Sequence, residues 1–160
     1  MSKASIRTLS FIFDNHTDHI LLLQITEEGP LKRKHTGLKG EIGEMESMNE
    51  AAVRNIQASS GLTVSEAVLR GVVKVISTES QSVVIYFIYE SSRFSGEMSG
   101  NLNGRLKWVD ILNIFNLQME SLVQEVMPYL LDGESFFEGI LQVNSMDEVK
   151  SSNIRICNTI

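Results

Sequence analysis

One cysteine, two prolines and one tryptophan among 160 residues set the first limits on this chain. The single Cys157 excludes an internal disulfide, and no Cys/His spacing suits zinc, so a hydrophobic core must carry the fold unaided. No apolar run approaches the roughly 20 residues of a membrane span. The N-terminus lacks the basic start, apolar stretch and small-residue cleavage site of a signal peptide, so a cytoplasmic location without a membrane partner is expected. Basic residues are outnumbered: 14 Lys and Arg against 20 Asp and Glu give a net charge of −6 and a pI near 5.1. That balance argues against a nucleic-acid partner, which requires a basic face to neutralise phosphates. Lys32, Arg33, Lys34 and His35 form the one basic run, which either meets a polyanionic ligand or is a solvated loop. There is no P-loop, and His16, His19 and His35 lie in or beside turn-like segments with no nucleophile partner, which reads as surface placement.

What is present is globular. With 42% apolar residues over 160 positions the chain forms one domain, 1–160, with a substantial core. SIRTLSFIF (5–13) and HILLLQIT (19–26) are rich in β-formers and flank a turn-like DNHTD, which predicts a hairpin. A loop over 27–36, a short strand over 38–42 and a helix over 48–60 follow. LTVSEAVLRGVVKVIST (62–78) predicts one strand bent or bulged near Gly71, and SVVIYFIY (82–89) a central strand buried on both faces. A polar loop over 91–104 leads to a short strand, RLKWV (105–109). Asp110 caps a helical turn over 111–115, and Leu117, Leu122, Val126 and Leu130 keep helical spacing up to a break near Val126 imposed by Pro128. Met119 reads as core filler. FFEGILQV and NIRICNTI predict a closing hairpin around 144–152.

The most informative stretch is GLKGEIGEMESMNEAAVRNIQASSGL (37–62). Ser47 followed three residues later by Glu50 is a capping box, Gly61 is a helix stop, and Ala52, Val53, Ile56 and Leu62 share an apolar stripe that leaves the opposite helix face to solvent. Gly40, Glu46, Arg54, Ile56, Gly61 and Leu62 match the pattern G-x5-E-x7-R-E-U-x-E-E-x-G-U at the right spacing, so the chain resembles the Nudix hydrolase family. Gly96, Glu97, Gly104, Leu106, Trp108 and Val109, with Pro128 to Leu131 and FFEG beyond, resemble its MutT-like members related to 8-oxo-dGTP diphosphatases. The resemblance implies the Nudix fold, an α/β/α sandwich around a mixed β-sheet.

The departures from the pattern bear on activity. In the family, three glutamates after the arginine bind Mg2+ or Mn2+, one serves as general base, and the arginine orients a glutamate by salt bridge. Asn55, Ala58 and Ser59 stand at those glutamate positions, and Asn103 stands near the place of a further carboxylate. Hard cations require anionic oxygen ligands, which an amide, a methyl and a hydroxyl do not replace. No intact catalytic set and no metal are therefore expected; Glu46 and Arg54 are remnants. Lys39 and Gly40 on the substrate loop, Glu97, and Glu120, the one acid in the segment where MutT-like relatives often carry an acid that reads the base edge and an aromatic ring absent here, are the candidate ligand contacts.

Two readings follow. The first is a non-hydrolytic or very weakly active Nudix-fold protein that binds a nucleotide-like small molecule in a ligand-binding or regulatory role, since losing the metal removes the main electrostatic term in phosphoanhydride cleavage. The second is a hydrolase of a nucleoside diphosphate derivative whose Mg2+ or Mn2+ is gathered by relocated acids, Glu41, Glu44, Glu46, Glu50 and Glu97; acids in a first helical turn also simply favour the helix dipole. Glu90 and Glu97 are the acids left in the second half near the site. Beside these two stands a protein-interaction module, such as a homodimer, for which the sequence offers no specific feature.

Overall fold

Odd and even residues of the opening strand go to different faces, and each face finds its own helix. The structure, a computed structural model, describes residues 4–99 and 104–157, so the expectation for Asn103 lies outside the described residues. In chain order the elements are β1 (Ala4–Asp14), β2 (His19–Ile25), β3 (His35–Thr36), β4 (Leu38–Glu41), α1 (Met48–Ser60), β5 (Thr63–Val64), β6 (Val68–Ser77), β7 (Val83–Ser91), β8 (Phe94–Ser95), β9 (Gly104–Asp110), a 3₁₀ helix (Ile111–Asn116), α2 (Ser121–Leu131), β10 (Phe136–Val143) and β11 (Val149–Cys157). The main sheet runs β11-β10-β6-β7-β1-β2-β3, with β4 added to β1 and β9 to β2; β5 and β8 pair separately. It is mixed: β1/β7 and β6/β10 are parallel, the other pairings antiparallel.

Leu9, Phe11 and Phe13 of β1 join Val73, Ile88, Phe137 and the buried residues of α2 in the larger core, while Ile12 packs with Leu21, Leu38 and Ile56 under α1. Helices on both faces of a mixed sheet make the α/β/α sandwich expected from the sequence, and β7 lies at its centre between β6 and β1.

Three expectations differ in detail. The segment 62–78 is two strands, because polar Ser65 and Glu66 end a short pairing of Thr63–Val64 with Phe94–Ser95 before β6 begins. Pro128 does not break α2: the helix continues to Leu131, and Val126, Met127 and Leu130 are buried on both sides of the proline. Losing one backbone bond to proline costs about 3 kcal/mol. Each buried aliphatic side chain returns about 1.5–3 kcal/mol, so three hold the helix to the sheet. Leu117 lies before α2 rather than in it. The expected irregularity near Gly71 is present, the register shifting between Leu69 and Gly71. A Cβ on Gly71 would lie 2.3 Å from the Phe137 ring. The shift turns Arg70 inward, where it bonds Glu90 (2.8 Å) and the carbonyls of Tyr129 (2.8 Å) and Ser135 (3.0 Å), closing the end of α2.

Candidate functional site

The loop before α1 and the first turns of the helix are fixed by local polar chemistry. Ser47 accepts the Glu50 N–H (3.1 Å) and Glu50 accepts the Ser47 N–H (3.2 Å), completing the capping box, and Gly61 takes the left-handed conformation (φ 79°) that ends the helix. Glu46 holds the loop from outside. Its carboxylate accepts from Arg54 Nε (2.7 Å) and Nη2 (2.8 Å) and from the Gly43 N–H (2.9 Å). The Arg54 hydrogen bonds, with the Gly43 amide second, hold the Glu46 carboxyl down at about 2. Glu46 and Arg54 thus form a forked pair that ties loop to helix.

Asn55 is the decisive side chain. It is buried within the apolar stripe of α1, pointing at the sheet. Its Nδ2 donates to Thr8 Oγ1 (3.0 Å) and to the Glu41 carbonyl (2.9 Å), and its Oδ1 accepts from Arg54 Nη1 (3.2 Å). Arg54 Nη2 also donates to the Glu41 carbonyl (3.0 Å). Gly40 lies beneath this amide: a Cβ there would come within 2.0 Å of Asn55 Cγ. Gly40, expected at the ligand, is therefore a buried packing position. Ala58 is exposed and Ser59 half-buried one turn on.

These donors do not fit the divalent cation that the resemblance implies. The amide of Asn55 is engaged by the scaffold, Ala58 offers no oxygen, and Glu46 and Glu50 are occupied by Arg54, Gly43 and Ser47. Among the described residues, no three of His, Cys, Asp and Glu form a group that could hold a metal ion, the relocated acids included. Glu97 is exposed, its backbone beside Gly61, and Glu90 is held by Arg70 rather than left as a strand-end charge.

A cleft of about 270 Å³ opens beside β4, lined by Arg7, Leu23, Ile25, Leu31, Lys39 and Ser59 among others. Lys39, which lines the cleft, meets Glu120, 81 positions away and not itself part of the lining. Lys39 Nζ lies 2.5 Å from Glu120 Oε2 and 5.4 Å from the centre of the Tyr86 ring, and Thr36 Oγ1 donates to Glu120 Oε1 (3.0 Å). Burial pulls the Lys39 ammonium down, but the Glu120 carboxylate and then Tyr86 outweigh it, so the group titrates above its ordinary 10.5. Arg7 has no hydrogen-bond or ion-pair partner among the described residues, so it is the cation still available to a ligand in the cleft.

His35 departs from its expected surface placement. It is buried, its Nδ1 lies 2.8 Å from the Gln118 carbonyl, and its Nε2 lies 3.4 Å from Lys107 Nζ. Burial lowers its pKa below the ordinary 6.5, the Gln118 carbonyl opposing and Lys107 adding to the drop. The basic run around it is largely spent within the fold, Lys32 on Glu28 and Lys34 on Asp147 (2.9 Å). Thr8, Arg7 and Thr36 had no local signal as site residues; the partners of Thr8 and Thr36 lie 47 and 84 positions away.

No family model matches the chain. A curated Bacillus subtilis (strain 168) protein described as an uncharacterized Nudix hydrolase, YvcI, is 23% identical over 126 residues, covering 76% of this chain and 77% of its own. The mutator MutT protein from Bacillus halodurans superposes with a TM-score of 0.83 at 22% identity, covering 95% of this chain and 97% of that one. MutT from Burkholderia pseudomallei gives a TM-score of 0.66 at 18% identity, covering 83% and 100%. The NUDIX domain of Shewanella oneidensis NrtR, solved with ADP ribose, gives a TM-score of 0.66 at 12% identity, covering 82% and 88%. The chain has the Nudix fold, and it resembles the Nudix hydrolases in sequence over about three-quarters of its length.

Proposed function

We propose that this is a Nudix-fold protein that binds a nucleotide-like small molecule and hydrolyses it extremely slowly or not at all, in a ligand-binding or regulatory role. The observation that carries the reading is Asn55: at the first glutamate position of the box stands a buried amide that serves Thr8 and Glu41 rather than a ligand. Ala58 and Ser59 supply no carboxylate to compensate. Without a cation to neutralise charge developing on a phosphoanhydride, several orders of magnitude in rate are forfeited.

The cleft supports the binding half of the reading. Leu23, Ile25 and Leu31 give apolar walls for a flat ring, and Arg7 gives a cation for a phosphate. A nucleoside diphosphate derivative fits that chemistry, and the NrtR domain solved with ADP ribose is a neighbour in fold. Purified protein with Mg2+ or Mn2+ is tested against nucleoside triphosphates, dinucleotides, nucleotide sugars and ADP ribose, following both binding by calorimetry and phosphate or pyrophosphate release. Saturable binding without turnover, weakened in Arg7→Ala, is expected. Turnover at ordinary enzyme rates, of about 1 per second or faster, defeats the reading.

A further inference from the structure

The sandwich is incomplete on one side. α1 covers β4 and β1 and reaches β6 and β7 only at Leu69, Phe87 and Tyr89. Beyond that point Val72, Lys74, Ile85, Glu138, Ile140 and Arg155 line a groove of about 430 Å³ on the α1 side of the sheet, and among the described residues no helix lies over it. Register places them together: Lys74 stands opposite Ile85 of β7 and Ile140 of β10, Val72 opposite Glu138, and Glu138 opposite Arg155 of β11. Ile6 of β1, 50% exposed, extends the apolar surface beside Ile85.

We infer that a second copy of this chain covers the face, forming a two-fold dimer packed sheet against sheet. The face is complementary to itself. Lys74 and Glu138 are diagonal neighbours on adjacent strands, a cation and an anion beside Val72, Ile85 and Ile140, with Asn153 and Arg155 completing the lining. A two-fold axis lying in the interface midway between them sets each lysine over the glutamate of the other copy and leaves the apolar side chains to meet around them. Lys74 is exposed and has no partner within the described residues, whereas Glu138 already takes Arg155 Nε at 2.6 Å and can accept on its second oxygen. Five strands about 4.8 Å apart, with three outward positions each, bury roughly 500 Å² per copy. At roughly 1,000 Å² in total the interface is at the small end of specific ones, the size class of weak, transient contacts.

The geometry yields a complementation test. Lys74→Glu sets glutamate over glutamate at both contacts, and Glu138→Lys sets lysine over lysine. Mixing the two variants restores two opposite-charge contacts. Sedimentation velocity at about 100 µM protein is expected to give a dimer for the native chain, a monomer for each variant alone and a dimer again for their equimolar mixture. Both substitutions are at the surface, and native circular dichroism confirms each variant is folded. A monomeric native chain, single variants that stay dimeric, or folded variants whose mixture stays monomeric would each overturn the inference.

Discussion

Asn55→Asp keeps the shape of the side chain and changes one atom, which makes it the sharpest probe of how this position is used. The amide nitrogen donates to Thr8 Oγ1 at 3.0 Å and to the Glu41 carbonyl at 2.9 Å. A carboxylate oxygen in its place keeps the first contact only if the threonine hydroxyl rotates to donate to it, giving up its long bond to the Gly40 carbonyl (3.5 Å). The second turns repulsive, because the Glu41 carbonyl has no proton to give. Arg54 Nη1, 3.2 Å from the other oxygen, recovers part of the loss. One lost hydrogen bond and one buried acceptor facing another amount to about 2 kcal/mol. For a domain of this size that lowers the melting temperature by about 4–8 °C. The substituted carboxyl is disfavoured in its charged form when folded, so its folded pKa lies above the unfolded one. The deficit is therefore full at pH 7 and shrinks as pH falls through the carboxylate range, where a protonated oxygen donates again. Calorimetric melting of both proteins at pH 7 and near pH 4, with and without Mn2+, measures it. An Asn55→Asp protein as stable as the native chain at pH 7, or stabilised by Mn2+, would mean that the side chain faces solvent and a ligand, and the reasoning about this position would fail.

Other perturbations have defined outcomes. Glu120→Ala leaves the half-buried Lys39 ammonium beside the cleft with no anion, and the expected loss is about 3 kcal/mol in chemical denaturation; a change below about 1 kcal/mol would show that the pair is not held as described. Arg70→Met removes the cation that serves Glu90 and the Tyr129 and Ser135 carbonyls, and a loss of about 3 kcal/mol or more is expected, with amide exchange in α2 accelerated ahead of α1. His35 is held neutral, its folded pKa below 6.5, so its contribution is full above pH 6.5 and is lost as pH falls through the folded value. Melting temperature should therefore decline on acidification below about pH 6.5, and His35→Gln should flatten that decline; equal slopes for the two proteins would refute the assignment.

How much of this was legible beforehand depended on how local the chemistry was. Ser47, Glu50 and Gly61 delimit α1 because a capping box and a left-handed stop need only residues within one turn. The hairpin of β1 and β2 and the central position of β7 followed from β-branched content and from apolar residues on both faces. The absence of carboxylates at 55, 58 and 59 was plain in the sequence, but the destination of Asn55 was not, since Thr8 lies 47 positions away. The Lys39–Glu120 contact and the burial of His35 under Gln118 were equally hidden, for they join segments 81 and 83 positions apart. Pro128 misled because local preference weighs one lost hydrogen bond and cannot see Val126, Met127 and Leu130 fastened to the sheet. The split of 62–78 into two strands depended on β8 as a partner, within a stretch that reads as a polar loop.

The central claim, that the scaffold persists without a cation cage, is tested most directly by titrating the protein with Mn2+ at pH 7 and counting bound ions by electron paramagnetic resonance. The free-ion signal is expected to grow in proportion to added Mn2+, with no stoichiometric uptake below millimolar concentration. Uptake of one or more ions per chain at micromolar Mn2+, abolished by Glu46→Gln or Glu97→Gln, would contradict it.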